Sequence, residues 1–202
     1  MKILIRVENE TDWFQTELMT KRAFWNLHRS GCDEHYLVHK LRSDPAYVPE
    51  ISRVAVFEGK VIGTIMYSKA KIITSDAEIG VLTFGPLCVD PEYQRKGVGG
   101  QLLNATLPLA REQGWPGIII FGEPDYYPKF GFRTCENFGI TTADGKNFPA
   151  FMGYELIDSG LSNSSGRFFE AAVFENLTPE DVDEFDKSFP SMPKLKLPGQ
   201  WV

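Results

Sequence analysis

Apolar and polar positions change their period several times along this chain, and each change marks an element. Ile3, Ile5 and Val7 alternate as a short strand, after which Thr11–Phe24 reads as a helix. Asp12 followed three residues later by Gln15 is a start signal of the capping-box type, and Trp13, Phe14, Leu18 and Met19 supply apolar surface. A second helix is predicted over Asp33–Arg42, where Leu37 and Leu41 lie one turn apart, with Pro45 and Pro49 closing the region. The period then switches to two: Arg53–Phe57, a Glu58-Gly59-Lys60 turn and Val61–Tyr67 predict a β-hairpin. A longer strand is predicted over Glu78–Val89. Its Gly85-Pro86 pair weakens pairing and lacks a donor, so a bulge or unpaired stretch is expected there, with the strand parting from a neighbour.

A glycine-rich turn, Pro91–Gly100, leads into a helix predicted over Gln101–Gln113, with Leu102, Leu103, Leu109 and Ala110 as its apolar residues. Pro108 should kink it, because the ring clashes with the carbonyl of Asn104. Ile118–Phe121 is fully apolar, as in a buried parallel strand, so strand, helix and strand make a right-handed βαβ unit. Tyr126–Phe132 gives a turn and a strand start, and Ala150–Ile157 and Gly166–Phe174 are two further strands. From Asn176 onward, Pro179, Pro190, Pro193 and Pro198 stand among charges, which predicts a loosely packed surface tail.

Composition narrows the class. A length of 202 residues fits one domain, or one plus an appendage, and 43% hydrophobic with 24% charged residues is ordinary for a globular chain. Lys+Arg of 21 against Asp+Glu of 27 gives 21 − 27 = −6, which argues against a nucleic-acid binder with a broad basic face. Cys32, Cys88 and Cys135 are too few and too scattered for a disulfide scaffold and point to a reduced setting. Charge appears by Lys2 and Arg6, no apolar run reaches the ~18 residues of a membrane span, and a soluble cytoplasmic protein without membrane contact is expected.

The chemistry concentrates in the glycine-rich turn. A strand running through such a turn into a helix presents free backbone N–H groups and the positive end of the helix dipole to an anion. Gly97, Gly99 and Gly100 allow close approach, and Arg95 and Lys96 add charge. Tight packing alone would also account for a lone motif of this kind. The nucleotide-triphosphate loop Gly-x-x-x-x-Gly-Lys-[Ser/Thr] is absent, and Leu102 stands where Gly-x-Gly-x-x-Gly needs its last glycine.

Gln94-Arg95-Lys96-Gly97-Val98-Gly99 resembles the Gln/Arg-x-x-Gly-x-Gly/Ala signature of the GNAT superfamily of N-acetyltransferases, which binds the pyrophosphate of acetyl-CoA. Leu87–Tyr93 is similar to the family's fourth strand and its exit, and Tyr127-Pro128-Lys129-Phe130-Gly131-Phe132 to its second motif, Tyr-x-x-x-Gly-Phe. Gly122–Tyr127 and Phe151–Leu156 resemble a bacterial branch with mostly undefined acceptors. The resemblance implies a mixed α/β fold: a central, mostly antiparallel twisted sheet, splayed fourth and fifth strands, and flanking helices. It implies a transferase domain over residues 1–157 and a C-terminal extension, an extra strand and tail, over 158–202. Pro108 and that extension depart from the family pattern.

The resemblance further implies that acetyl-CoA is the acyl donor, held by Gln94, Arg95, Lys96, Gly97, Val98, Gly99 and Gly100. Pantetheine would lie against Leu87, Cys88 and Val89, one of whose N–H groups polarises the thioester carbonyl. The amine attacks directly, and Tyr127 takes the position of the phenol that protonates the departing thiolate, with Tyr126 as understudy. An ammonium acceptor also needs a base: Glu78 is the first choice, with Glu34, His35 and Asp125 further candidates that also suit the acceptor side. Because the first two helices border the acceptor cleft in the family, Glu34 and His35 read as cleft wall. His35 and His39 are four apart on one helix but lack the His-Glu-x-x-His pattern, so no metal is expected. Cys88 reads as a buried apolar residue rather than a nucleophile. The function expected is acetyl transfer to a small-molecule or peptide amine. A CoA-binding sensor without turnover is the alternative, nucleic acid is excluded as a partner, and the C-terminal strand and tail offer a contact for a homodimer.

Overall fold

Switches between a period of two and a period near 3.6 lay out nine strands and four helices among the described residues. The strands of the computed structural model, which describes residues 1–200, are β1 (Leu4–Arg6), β2 (Arg53–Phe57), β3 (Lys60–Ile73), β4 (Glu78–Val89), β5 (Gly117–Phe121), β6 (Arg133–Thr134), β7 (Ile140–Thr141), β8 (Phe151–Glu155) and β9 (Gly166–Phe169). The helices are α1 (Trp13–Phe24), α2 (Glu34–Leu41), α3 (Val98–Glu112) and α4 (Pro179–Asp186). They form two compact units: Met1–Met66, Pro86–Ala105 and residues 172–200 make the first, Tyr67–Gly85 and Thr106–Ala171 the second. β3, β4 and α3 contribute residues to both.

In the first unit β1, β2 and the start of β3 pair antiparallel, Leu4 facing Val56 and Phe57 facing Lys60. The hairpin loop is Glu58-Gly59, with φ of 48° and 79°, the left-handed pair that matches the twist of the flanking strands. Met19, Val54, Val56, Val61 and Cys88 form its core, with Ala23 and Phe24 packed on it. Leu37, Val38 and Leu41 are the buried stripe of α2. Asp12 is held by Arg6 at 2.6 Å and accepts from the N–H of Asn9, so the start of α1 is tied one turn earlier than the Asp12/Gln15 pattern predicts. Gln15 instead accepts from the N–H of Val61 at 3.3 Å.

In the second unit the strand order is β3-β4-β5-β8-β6, and β9 pairs both β3 and β7. The sheet is mostly antiparallel; β4–β5 and β7–β9 are its parallel pairs. β4 meets β5 at Leu82↔Ile118, while Ile119, Ile120 and Phe121 go on pairing with β8. The parting of β4 from its neighbour ahead of Gly85-Pro86 agrees with the sequence expectation. Ala70, Ile72, Val81, Ile119, Cys135, Phe138, Ile140, Phe151, Leu161 and Phe168 form the core here.

Three segments differ from their predicted form. α3 begins at Val98 rather than Gln101, because two glycines are tolerated in a first turn whose end is free to bind outside groups. The strand expected over Gly166–Phe174 stops at Phe169, and Ala172–Phe174 is a helical turn. The tail is not loose: Thr178 caps α4 by accepting from the N–H of Asp181 at 3.3 Å, Pro179 opens the helix, and Val182 and Phe189 are buried. Of the extension expected over 158–202, the stretch to Ala171 belongs to the second unit and the remainder to the first.

Candidate active site

The turn after β4 is fastened on its protein side and open on the other. Asp90 donates its N–H to the carbonyl of Ile62 at 2.9 Å, and its carboxylate accepts from the N–H of Glu92 at 3.0 Å. Gln94 Nε2 returns to the carbonyl of Val89 at 3.1 Å. Arg95 and Gly97 then take left-handed φ values of 58° and 82°, reversing the chain so that α3 starts at once. Gly97 accepts from the N–H of Gln101 at 3.0 Å, the first bond of the helix, which leaves the N–H groups of Val98, Gly99 and Gly100 at the open end. A Cβ placed on Gly97 would meet nothing within 4 Å, so the space in front of the turn is clear.

Charge at this turn is sorted. Arg22 lies 3.1 Å from Asp90 and 3.0 Å from Glu92, neutralising the carboxylates beside it. Lys96 bonds the carbonyl of Glu92 at 2.8 Å and covers the ring of Tyr93. Arg95 is exposed and, among the described residues, makes no ion pair. The site fits an anionic group such as a pyrophosphate: backbone donors, a helix N-terminus and an uncommitted guanidinium.

In the same unit Cys88 is buried, its sulfur 3.5 Å from Thr20 Oγ1 and 3.8 Å from Met19 Sδ, and burial pushes its thiol up to about 12. It is therefore a packing residue, as expected, and no nucleophile. Leu87 and Val89 are partly exposed on either side of it. Glu34 opens α2, half-buried, with Oε2 accepting from the N–H of Asp33 at 3.2 Å; burial raises its carboxyl to about 7.

His35 is enclosed. Its ring packs on Phe185 and Phe189 at 5.5 and 5.6 Å, Nδ1 lies 3.5 Å from Cys32 Sγ, and burial pushes its pKa down to about 4. Its Nε2 is 2.9 Å from Asp186 Oδ1, but off the line of a well-formed hydrogen bond. His39 turns to Glu17 instead, and no group of three metal-ligating side chains exists among the described residues.

In the second unit Tyr127 opens a helical turn, Tyr127–Phe130, closed by Gly131 with φ of 96°. Its ring sits 5.8 Å from Phe84, 5.5 Å from Phe132 and 5.1 Å from Tyr126. Gly122 makes the room: a Cβ there would lie 2.3 Å from Tyr127 Cε2. Tyr126 lies under the ammonium of Lys129 at 4.1 Å, and burial raises its phenol. Asp125 is exposed. Glu78 stands at the exposed start of β4, paired with Lys71 at 2.8 Å.

The sequence reading missed Asp186, Phe185 and Phe189, the residues that enclose His35. A signal for them exists: Thr178-Pro179-Glu180-Asp181 is a helix start, and Val182, Phe185 and Phe189 recur at helical spacing.

No helix among the described residues is long and apolar enough to cross a membrane. The profile of the Acetyltransferase (GNAT) domain matches residues 49–134. The chain is 33% identical over 114 residues to the Escherichia coli K12 protein named uncharacterized N-acetyltransferase YjhQ, a match spanning 56% of this chain and 59% of that one. It is 29% identical over 166 residues to the uncharacterized N-acetyltransferase YhbS of the same organism, covering 81% of this chain and 93% of the relative. The crystal structure of E. coli YhbS in complex with CoA superposes with a TM-score of 0.76 at 25% identity, over 87% of this chain and 93% of that one. A GNAT family acetyltransferase from Brucella melitensis in complex with acetyl-CoA gives 0.68 at 28%, over 86% and 98%.

Proposed function

We propose that the chain is an acetyltransferase of the GNAT superfamily, whose domain matches residues 49–134, and that it moves the acetyl group of acetyl-CoA directly onto an amine. The observation that carries this reading is the open turn Gln94–Gly100, with Arg95 uncommitted and the first N–H groups of α3 unclaimed. It suits an anionic group such as a pyrophosphate. That two structural relatives are described with CoA and acetyl-CoA supports the same donor here.

In this reading Gln94 to Gly100 hold the donor's pyrophosphate, and an N–H of Leu87, Cys88 or Val89 polarises the thioester carbonyl. The amine nitrogen attacks the carbonyl carbon and the C–S bond breaks. Tyr127 gives its phenolic proton to the leaving thiolate; reference pKa values of about 10 and about 8.5 are close enough for that transfer. The acceptor is a primary amine on a small molecule or peptide.

The test is release of free CoA thiol from acetyl-CoA with a panel of primary amines. Tyr127→Phe is expected to lower kcat ~100-fold while leaving the Kd for CoA within about twofold. A wild type that turns over none of the amines while binding CoA would favour a sensor, and turnover unchanged in Tyr127→Phe would remove the phenol from the mechanism.

A further inference from the structure

We propose that the second unit carries a binding site for a small zwitterion, an amino acid or dipeptide, in the cavity between the last turn of α3 and the exit of β8. The cavity has a volume of about 650 Å³, within the range of small-molecule sites, roughly 300–1,000 Å³. None of the residues assigned to the donor or to the leaving thiolate lines it. The assignment therefore goes beyond the acetyl-transfer reading and stands without it.

Four ionised side chains line the cavity, and two of them cancel. Arg133 lies 2.8 Å from Glu155 Oε2, and its guanidinium covers the ring of Phe138 at 4.6 Å. Glu155 Oε1 accepts from the N–H groups of Leu161 and Ser162 at 3.2 and 3.1 Å and from Ser162 Oγ at 2.7 Å, so that carboxylate is engaged on both oxygens. Arg111 and Asp158 remain, and among the described residues neither makes an ion pair. The cavity thus offers an unpaired cation and an unpaired anion.

Arg111 is aimed rather than loose. Its Nε donates to the carbonyl of Leu156 at 2.7 Å and one terminal nitrogen to the phenolic oxygen of Tyr154 at 3.1 Å, bonds that hold the guanidinium in place before any ligand arrives. The other terminal nitrogen stays available, and a carboxylate is the planar acceptor that matches it. Because Tyr154 accepts from Arg111, its own phenolic proton can be donated to the same carboxylate. The ring of Tyr154 is fixed 5.1 Å from that of Phe132, and a Cβ on Gly131 would lie 3.1 Å from its Cε2, so glycine at that position leaves the ring its place.

Asp158 supplies the other pole. It sits in the turn over residues 157–160, closed by the N–H of Gly160 on the carbonyl of Ile157 at 3.0 Å, with Ser159 at a left-handed φ of 57°. Ile157, 45% exposed, adds an apolar wall. An oxyanion alone would leave Asp158 unpaired and repelling it, and an ammonium alone would meet Arg111 in the same way. A molecule carrying both charges, with an apolar group against Ile157, satisfies all three, and that is the chemistry of leucine or a leucine dipeptide.

The experiment is a ligand-observed NMR titration of the full chain with L-leucine, leucyl-leucine, leucinamide, which lacks the carboxylate, and 4-methylpentanoate, which lacks the ammonium. Leucine or the dipeptide should bind with a Kd of ~0.1–1 mM, and each half-molecule ~10-fold more weakly. Asp158 is exposed, so Asp158→Asn leaves the fold intact; it should weaken leucine ~10-fold and not weaken 4-methylpentanoate. Arg111→Lys, which keeps the charge but not the planar fork, should weaken both ~10-fold. If Arg111→Lys does not fold, Asp158→Asn decides alone. Absence of binding by either zwitterion at ~10 mM overturns the proposal. So does leucine binding unchanged in Asp158→Asn, or leucinamide bound as tightly as leucine, the result expected of a ligand that enters elsewhere as an acceptor amine. Binding of 4-methylpentanoate as tight as that of leucine overturns it too, since the cavity would then be a plain anion site.

Discussion

Replacing Asp186 by Asn should strip most of its counter-charge from one of the most deeply placed lysines in the chain. Lys21 is 1% exposed, its Nζ 2.7 Å from Asp186 Oδ1, 4.6 Å from the Trp25 ring and 5.5 Å from that of Phe189. Asn keeps the shape and removes the charge. Breaking one half of a buried ion pair costs ~3–5 kcal/mol, and the attraction to the two aromatic faces is present before and after the change, so a loss of ~3–5 kcal/mol is expected. Against the usual 5–15 kcal/mol of folding stability that is a large share. Urea unfolding followed by tryptophan fluorescence should show a lower midpoint with the slope unchanged. The pair Lys21→Met with Asp186→Leu should recover most of the loss, because both charges leave together.

The same cluster sets an acid limit. Burial holds His35 near 4 against an ordinary 6.5, so the unfolded chain takes up a proton between these values while the folded one does not. Stability from this group is complete above 6.5 and is lost as pH falls toward 4. A loss below ~1 kcal/mol in Asp186→Asn would refute the reasoning and return the segment after Asn176 to a loosely held tail.

Two glycines give sharper tests of the site. Gly97→Val meets open space but a φ of 82°, so the cost is backbone strain of ~1–3 kcal/mol confined to the turn, and calorimetry should show CoA affinity reduced ~10-fold with little change in the unfolding midpoint. Gly122→Ala places a carbon 2.3 Å from Tyr127 Cε2, so the ring must move; kcat should fall as in Tyr127→Phe while CoA affinity holds, and an unaltered kcat would show that the position of that ring does not matter.

What the sequence made legible follows from how local each cause is. Glu78–Val89 was readable to the residue because a turn signal and a charged exit bracket it, and the Glu58-Gly59 hairpin because its two-residue loop demands left-handed φ. The glycine-rich turn announced its chemistry for the same reason: spacing alone puts glycines, a guanidinium and a helix start together. Tertiary partners hid the rest. β3 runs on to Ile73 because β9, nearly a hundred residues away in sequence, pairs with Lys71, Ile72 and Ile73. His35 read as a cleft-wall residue because its enclosure depends on Asp186, Phe185 and Phe189 from a segment whose prolines and charges suggested a tail.

Charge ties these observations together better than composition does. A surplus of six acidic groups over the whole chain says little about a site, since most of the carboxylates near it are cancelled locally, Asp90 and Glu92 by Arg22 and Asp186 by Lys21. Arg95, in the turn before α3, stands outside that cancellation. In the proposed reading Arg95 is the cation that meets the polyanionic donor. Pairing the other charges has a second effect: it keeps Arg22 from competing for the donor and Asp90 from repelling it, because a charge already neutralised at 3 Å contributes little field further out. In the proposed reading, the fit of the turn to the donor's pyrophosphate therefore depends on Arg22 as well as on Arg95, although Arg22 itself need touch no substrate.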